Sequence, residues 1–305
     1  MHAIIHSMPG AIELGLLYAL MALGVYITFR ILDFPDLTVD GSFTTGGAIA
    51  ATMIAHGASP WLATIVACLG GCAAGIVTGL LHTKGRINGL LSGILMMIAL
   101  YSINLRIMGR PNISLLGQNT IFSSLSILAF MIVAVLLILV LLNLFLKTDL
   151  GLALRATGDN ARMIRSFGAH TDNTIILGIS LSNGLVALSG ALVAQQAGYA
   201  DNSMGIGMIV IGLASVIIGE AILGARTILW ATLAAVLGSI VYRIVVALAL
   251  QVDWLDASDL KIITAVIVIV ALIIPTAQRS WKQKHAARKR SAELAEMFAA
   301  AGGER

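Results

Sequence analysis

Nine stretches of about 20 predominantly apolar residues follow one another along this chain, and a helix of that length crosses the hydrocarbon core of a bilayer. Lipid offers backbone N–H and C=O groups no hydrogen-bond partners, so such stretches cross as helices and not as open strands. They fall near residues 11–29, 38–56, 60–82, 88–108, 121–147, 173–198, 204–222, 227–250 and 259–278. Of 305 residues, 58% are hydrophobic and 11% charged, against about 25% charged residues in a soluble domain. The expected fold is an all-α integral membrane protein, a polytopic helical bundle of about nine spans with broken helices. Residues 1–278 form the transmembrane domain, and 279–305 a basic tail.

The charges order this bundle. One assignment of sides groups Arg30, Lys84, Arg86, Lys147, Arg155, Arg162, Arg165, Arg226 and the basic tail, leaving Arg106, Arg110, Arg243 and Lys261 opposite. The richer side is expected to be cytoplasmic, which puts the N-terminus outside and the C-terminus inside. A net charge of +4 raises the question of nucleic acid, but the basic residues sit between apolar runs, where membrane orientation already accounts for them. No nucleic-acid partner is expected. Cys68 and Cys72 stand four apart on one helix face and read as small packing residues. Gly71, Gly75 and Gly79 repeat at the same interval and make a smooth ridge for a neighbouring helix. The six His are scattered, no H-E-x-x-H or G-x-S-x-G occurs, and no metal site or catalytic residue is expected.

Three polar breaks interrupt the apolar pattern. After the first span, ILDFPDLTVDGS sets Asp33, Asp36 and Asp40 around Pro35, where a helix has to stop. Carboxylates at membrane depth are costly unless they face water, protein or a passing solute, whereas at the rim they form only a hydrated loop; both placements are open. QQAGYADNSMGIGM follows the sixth span, and VIIGEAILGARTI ends the seventh, with Glu220 expected near the inner surface and near Arg226. The candidate path for a solute is therefore Asp36, Asp40, Ser42, Asn104, Asn183, Gln195, Gln196 and Glu220. For intramembrane amides and hydroxyls such as Asn104 and Asn183, tying helices together by hydrogen bonds is the commoner role.

The fourth polar segment, residues 148–172, carries Arg155, Asp159, Arg162, Arg165 and Asp172 beside the small residues Ala156, Gly158 and Ala161. A solvated loop has this composition too, but small residues let another surface approach closely. ATGDNARMIRSFGA resembles the cytoplasmic coupling loop of permease subunits from ABC importers for branched-chain amino acids and ribose-type sugars. Gly158, Asp159, Asn160, Ala161 and Gly168 occupy its recurrent positions. DLTVDGS resembles the D-L-S-V-G-S of the sugar permeases with Asp40 as an extra residue, and Glu220 stands where a second Gly is usual.

That resemblance implies a type II-like importer permease in a bacterial cytoplasmic (inner) membrane, with a small polar solute, an amino acid ahead of a sugar. It implies separate ATPase subunits, an extracytoplasmic solute-binding protein and a second permease copy, giving a homodimer. The chain has no G-x-x-x-x-G-K-[ST] loop, so ATP and Mg belong to the partner ATPase, and no cofactor is expected here. The residues expected to couple to that ATPase are Arg155, Ala156, Gly158, Asp159, Asn160, Arg162, Arg165, Phe167 and Gly168. The competing reading is an ion-coupled secondary transporter using Asp36, Asp40 and Glu220. It leaves the mid-chain island without a task.

Overall fold

The computed structural model describes residues 2–124, 126–168, 170–250, 262, 264–270 and 273. In chain order the helices are α1 (His2–Tyr26), α2 (Thr38–Ala55), α3 (Pro60–Thr83), α4 (Gly89–Met108), α5 (Ile127–Lys147), α6 (Asp149–Ser166), α7 (Thr171–Ala197), α8 (Met208–Leu223) and α9 (Ile228–Ala249). The first eight expected spans correspond to α1–α5 and α7–α9. The expected ninth, 259–278, lies in part outside the described residues, and the tail 279–305 lies wholly outside them.

Among the described residues six helices are long and apolar enough to cross a membrane, α1 with its continuation to Ile31, α3, α4, α5, α7 and α9. The other two differ for physical reasons. α2 is rich in Gly, Ala and Thr and buried along most of its length, so it packs against protein and needs no oily surface. α8 has only 16 residues and lies among α1, α2 and α9.

Local chemistry sets the helix ends. Ser59 accepts a hydrogen bond from the Leu62 N–H at 3.3 Å with Pro60 at the first helical position, and Asn88 accepts from the Leu90 N–H at 2.9 Å. Two expectations need correction. The fifth span does not begin at residue 121: Ile121–Ser123 is one 3-10 turn, and α5 starts at Ile127. The all-α description holds for the spans, but β1 (Asn112–Ser114) and β2 (Tyr199–Asp201) pair antiparallel, with Ile113 opposite Ala200. This ribbon clasps the α4 exit to the α7 exit at the end of the bundle opposite α6. Beside it the Ser203 side chain bonds Asp201 and holds that carboxyl below the usual carboxylate range.

The core is α7, enclosed by α3, α2 and α1. The glycine ridge of α3 faces it as expected: a Cβ on Gly71 would stand 2.3 Å from the Asn183 carbonyl oxygen, and one on Gly75 2.5 Å from that of Ile179. Backbone-to-backbone approach of this kind is how apolar helices associate where burial against lipid gives no driving force. α5 is peripheral, with Val133, Leu136, Leu137, Val140, Leu141 and Leu144 all more than half exposed.

Candidate functional site

The break after α1 organises the functional side chains. α1 does not stop at Tyr26 but widens into a π-helical turn, Ile27–Ile31, in which Leu32 N–H bonds the Ile27 carbonyl. Pro35 lacks the N–H that would continue the helix, and Asp33 takes a left-handed backbone with φ 51°. Asp36 then starts α2, its Oδ1 accepting from the Thr38 N–H at 2.9 Å. Its Oδ2 accepts from Asn183 Nδ2 at 2.7 Å. Asn183 stands twelve residues into α7, about 18 Å from the α6 end at 1.5 Å per residue. Asp33 is thus exposed at the rim, while Asp36 is 2% exposed inside the bundle.

Below the break lies α6. Its Gly151, Leu154 and Thr157 are buried, and Gly158 sits so tightly on the end of α1 that a Cβ there would stand 1.8 Å from the Ile31 carbonyl oxygen. Leu154 and Leu32 both press on Gly178 of α7. At Asn160 the backbone turns extended (φ −159°, ψ 86°), and the Asn160 side chain accepts from the Met163 N–H at 3.0 Å, capping a second short helical segment. That kink explains an Asp-Asn pair mid-helix. The opposite face is exposed: Asp159, Asn160, Arg162, Met163 at 53%, Phe167 at 75% and Gly168, which closes the helix with φ 85°. Ala156 is half-buried with Arg155, and Arg165 turns aside, its Nε donating to Thr171 Oγ1 at 2.6 Å.

The expected path residues fall at several places in the bundle, with Asp40 and Asn104 lining one cavity. Asp36 and Asn183 are a buried pair. Asp40, on α2, accepts at 2.8 Å from each of the Gly207 and Ile209 N–H groups and so caps the N-terminus of α8. Asn104 of α4 accepts from Thr45 Oγ1 at 2.8 Å, and Ser42 of α2 is fully buried with no hydrogen-bond partner for its hydroxyl among the described residues. Gln195 lies apart at the ribbon end, donating to Thr64 Oγ1 at 2.8 Å and accepting from Ile121 N–H at 3.3 Å, while Gln196 next to it is half-buried.

Glu220 is also separate. It lies on the α6 side as expected, but its ion partner is Arg30, whose Nε donates to Oε1 at 2.7 Å and whose Nη2 meets Oε2. Arg226 only shares the surrounding cavity of about 270 Å³ with Arg155 and Asp159. Sequence reasoning used Arg30 solely for orientation. The cue for its second role was a lone Arg ending an apolar span, within reach of a lone Glu ending another. Among the described residues no group of three or more His, Cys, Asp or Glu is placed to hold a metal.

A family model described as the permease component of branched-chain amino acid transport systems matches residues 9–276. The tyrosine transport system permease protein of Clostridioides difficile (strain R20291) is 46% identical over 273 residues, 89% of this chain and 92% of that one. The uncharacterized protein RP368 of Rickettsia prowazekii (strain Madrid E) is 37% identical over 269 residues, 86% and 95% of the two chains. An autoinducer 2 import system permease protein, LsrC, of Yersinia pestis (strain Pestoides F) is 32% identical over 155 residues, 50% and 44%. No solved structure matches the chain.

Proposed function

Because the chain belongs to the permease family of branched-chain amino acid transport systems, and so is the multi-pass inner-membrane permease subunit of an ABC importer, we propose that α6 is the handle gripped by its cytoplasmic ATPase. The observation that carries this reading is the two-sidedness of α6. One face is locked to the end of α1 through Gly158, and the other presents Arg162, Met163 and Phe167 to solvent. An exposed aromatic flanked by charge on a rigid helix is what a protein interface uses as an anchor.

In this reading the α6 side is cytoplasmic and the N-terminus outside. ATP and Mg reside on the ATPase, and nucleotide-driven closure of two ATPases moves two docked copies of α6. The second permease copy is another copy of this chain, and an external binding protein delivers the solute. The relative named a tyrosine transport permease supports an amino acid as that solute.

The test is reconstitution with a candidate importer ATPase. Arg162→Glu and Phe167→Ala are each expected to weaken ATPase capture at least tenfold, corresponding to about 1.4 kcal/mol per interface anchor. Solute-stimulated hydrolysis that survives both substitutions and Asp159→Lys refutes α6 as the handle.

A further inference from the structure

Between α2, α4 and the turn before α8 lies a cavity of about 470 Å³, inside the size range of roughly 300–1,000 Å³ typical of small-molecule sites. Its walls are mainly apolar, with Met97, Ile98 and Ile206, and the aromatic ring of Tyr101 is half exposed beside them. Thr44, Ser102 and Asn104 add hydroxyl and amide groups to the lining, but the negative charge and the unpaired acceptor lie elsewhere on it. The Asp40 carboxylate is there, and Asn202, 5% exposed, has a side-chain oxygen with no hydrogen-bond partner among the described residues, its amide nitrogen donating to the Tyr101 carbonyl at 3.3 Å. None of the lining residues is Lys, Arg or His.

We infer that this groove is the point at which the permease itself recognises its solute, and that it selects a protonated amine carried on an apolar or aromatic body. Three features converge on that class. The Asp40 carboxylate, though both its oxygens already accept from the Gly207 and Ile209 N–H groups, supplies negative charge, and the Asn202 amide oxygen is free to accept a hydrogen bond. The face of Tyr101 attracts a cation, by about 0.5–2 kcal/mol depending on hydration. The apolar walls take the remainder of the molecule. A buried acceptor without a donor is unfavourable in the empty protein, and a passing ammonium removes that deficit. An acid without an amine would meet the Asp40 charge with no Lys, Arg or His among the lining residues to balance it.

This inference rests on the importer reading and is tested within it, using the permease, its ATPase and its binding protein in proteoliposomes with radiolabelled L-tyrosine as probe. Tyr101→Leu and Asn202→Leu are each expected to raise the KM for uptake at least tenfold, and Tyr101→Phe, which keeps the π-face, to stay within about threefold of the unsubstituted protein. Tyr101 is half exposed, so its variants are expected to fold even if Asn202→Leu does not. Uptake within twofold for Tyr101→Leu overturns the groove as a recognition point while leaving the importer intact. A Tyr101→Leu defect that shows instead as loss of permease dimer assigns the groove to the copy interface and also overturns it. Failure of the unsubstituted complex to move tyrosine or any other amine refutes the solute class under Proposed function and this inference with it.

Discussion

Replacing Gly158 by Ala adds one methyl group at the tightest contact between α6 and the membrane bundle. The new Cβ would start 1.8 Å from the Ile31 carbonyl oxygen and 3.0 Å from Leu32 Cα, so α6 has to retreat by about 1.2 Å to restore even a 3.0 Å contact. Ile31 cannot give way cheaply, because it ends the π-helical turn that fixes the Asp33–Asp36 break. Overpacking of this kind costs about 1–3 kcal/mol, a roughly 5- to 150-fold loss in the population with α6 seated. The expected outcome is a lower unfolding temperature of the purified permease and more ATP hydrolysed per solute imported. Gly168→Ala is the control. It strains a left-handed residue with φ 85°, but its Cβ meets nothing within 4 Å, so it destabilises the end of α6 without lifting the helix off Ile31. If Gly158→Ala matches the unsubstituted protein in both assays, or if Gly168→Ala uncouples equally, the seating of Gly158 on α1 is not the mechanical link.

Two further substitutions probe the buried ties. Asn183→Leu removes the Nδ2 donor from Asp36 and is expected to destabilise the bundle by about 1.5–3 kcal/mol, the range for a hydrogen bond to a charged group; denaturation in detergent reads it, and a loss below about 0.5 kcal/mol contradicts the pairing. For Arg30 and Glu220, whose side chains are 45% and 12% exposed, Glu220→Gln is expected to cost about 1 kcal/mol and less at high salt; the exchanged pair Arg30→Glu with Glu220→Arg is expected to recover most of it in melting experiments, and no recovery refutes a direct charge interaction.

The architecture was legible because apolar length and Gly, Pro and Asn punctuation act locally. Pro60 behind Ser59, Gly89 behind Asn88 and the Pro35 break each set a helix boundary within a few residues of expectation. The glycine interval on α3 announced close approach, although not that α7 is what approaches. The β1–β2 ribbon was invisible, since two three-residue strands 85 residues apart carry no period and exist only because α4 and α7 exit side by side. Partners of the acids were equally hidden. Glu220 was given Arg226 as neighbour, because proximity in sequence was the sole guide, whereas Arg30 reaches it across 190 residues. The hydrogen-bond partners of the path residues were hidden for the same reason: a list of polar residues at membrane depth does not say which ones bond other helices, as Gln195 bonds Thr64 and Asp40 bonds α8.

Those attachments also bear on how motion at α6 reaches the rest of the bundle. α8 is held at both ends by residues that flank one break: its N-terminus by Asp40, just beyond the break, and its far end through Glu220 by Arg30, just before it. Gly158 presses on Ile31, the residue after Arg30, and Asp36 ties the middle of the same break to α7 through Asn183. A displacement of α6 therefore acts on a segment that already grips α7 and α8. The cavity with Tyr101 and Asn202 lies between α2, α4 and the turn that Asp40 pins, so movement of α8 relative to α2 changes its width. The same connections weigh against an ion-coupled mechanism. Asp36 is bonded by a side-chain amide and a backbone N–H, and Glu220 by a guanidinium, so a carried cation would have to displace partners from both. Acids engaged in this way suit fixed struts between helices.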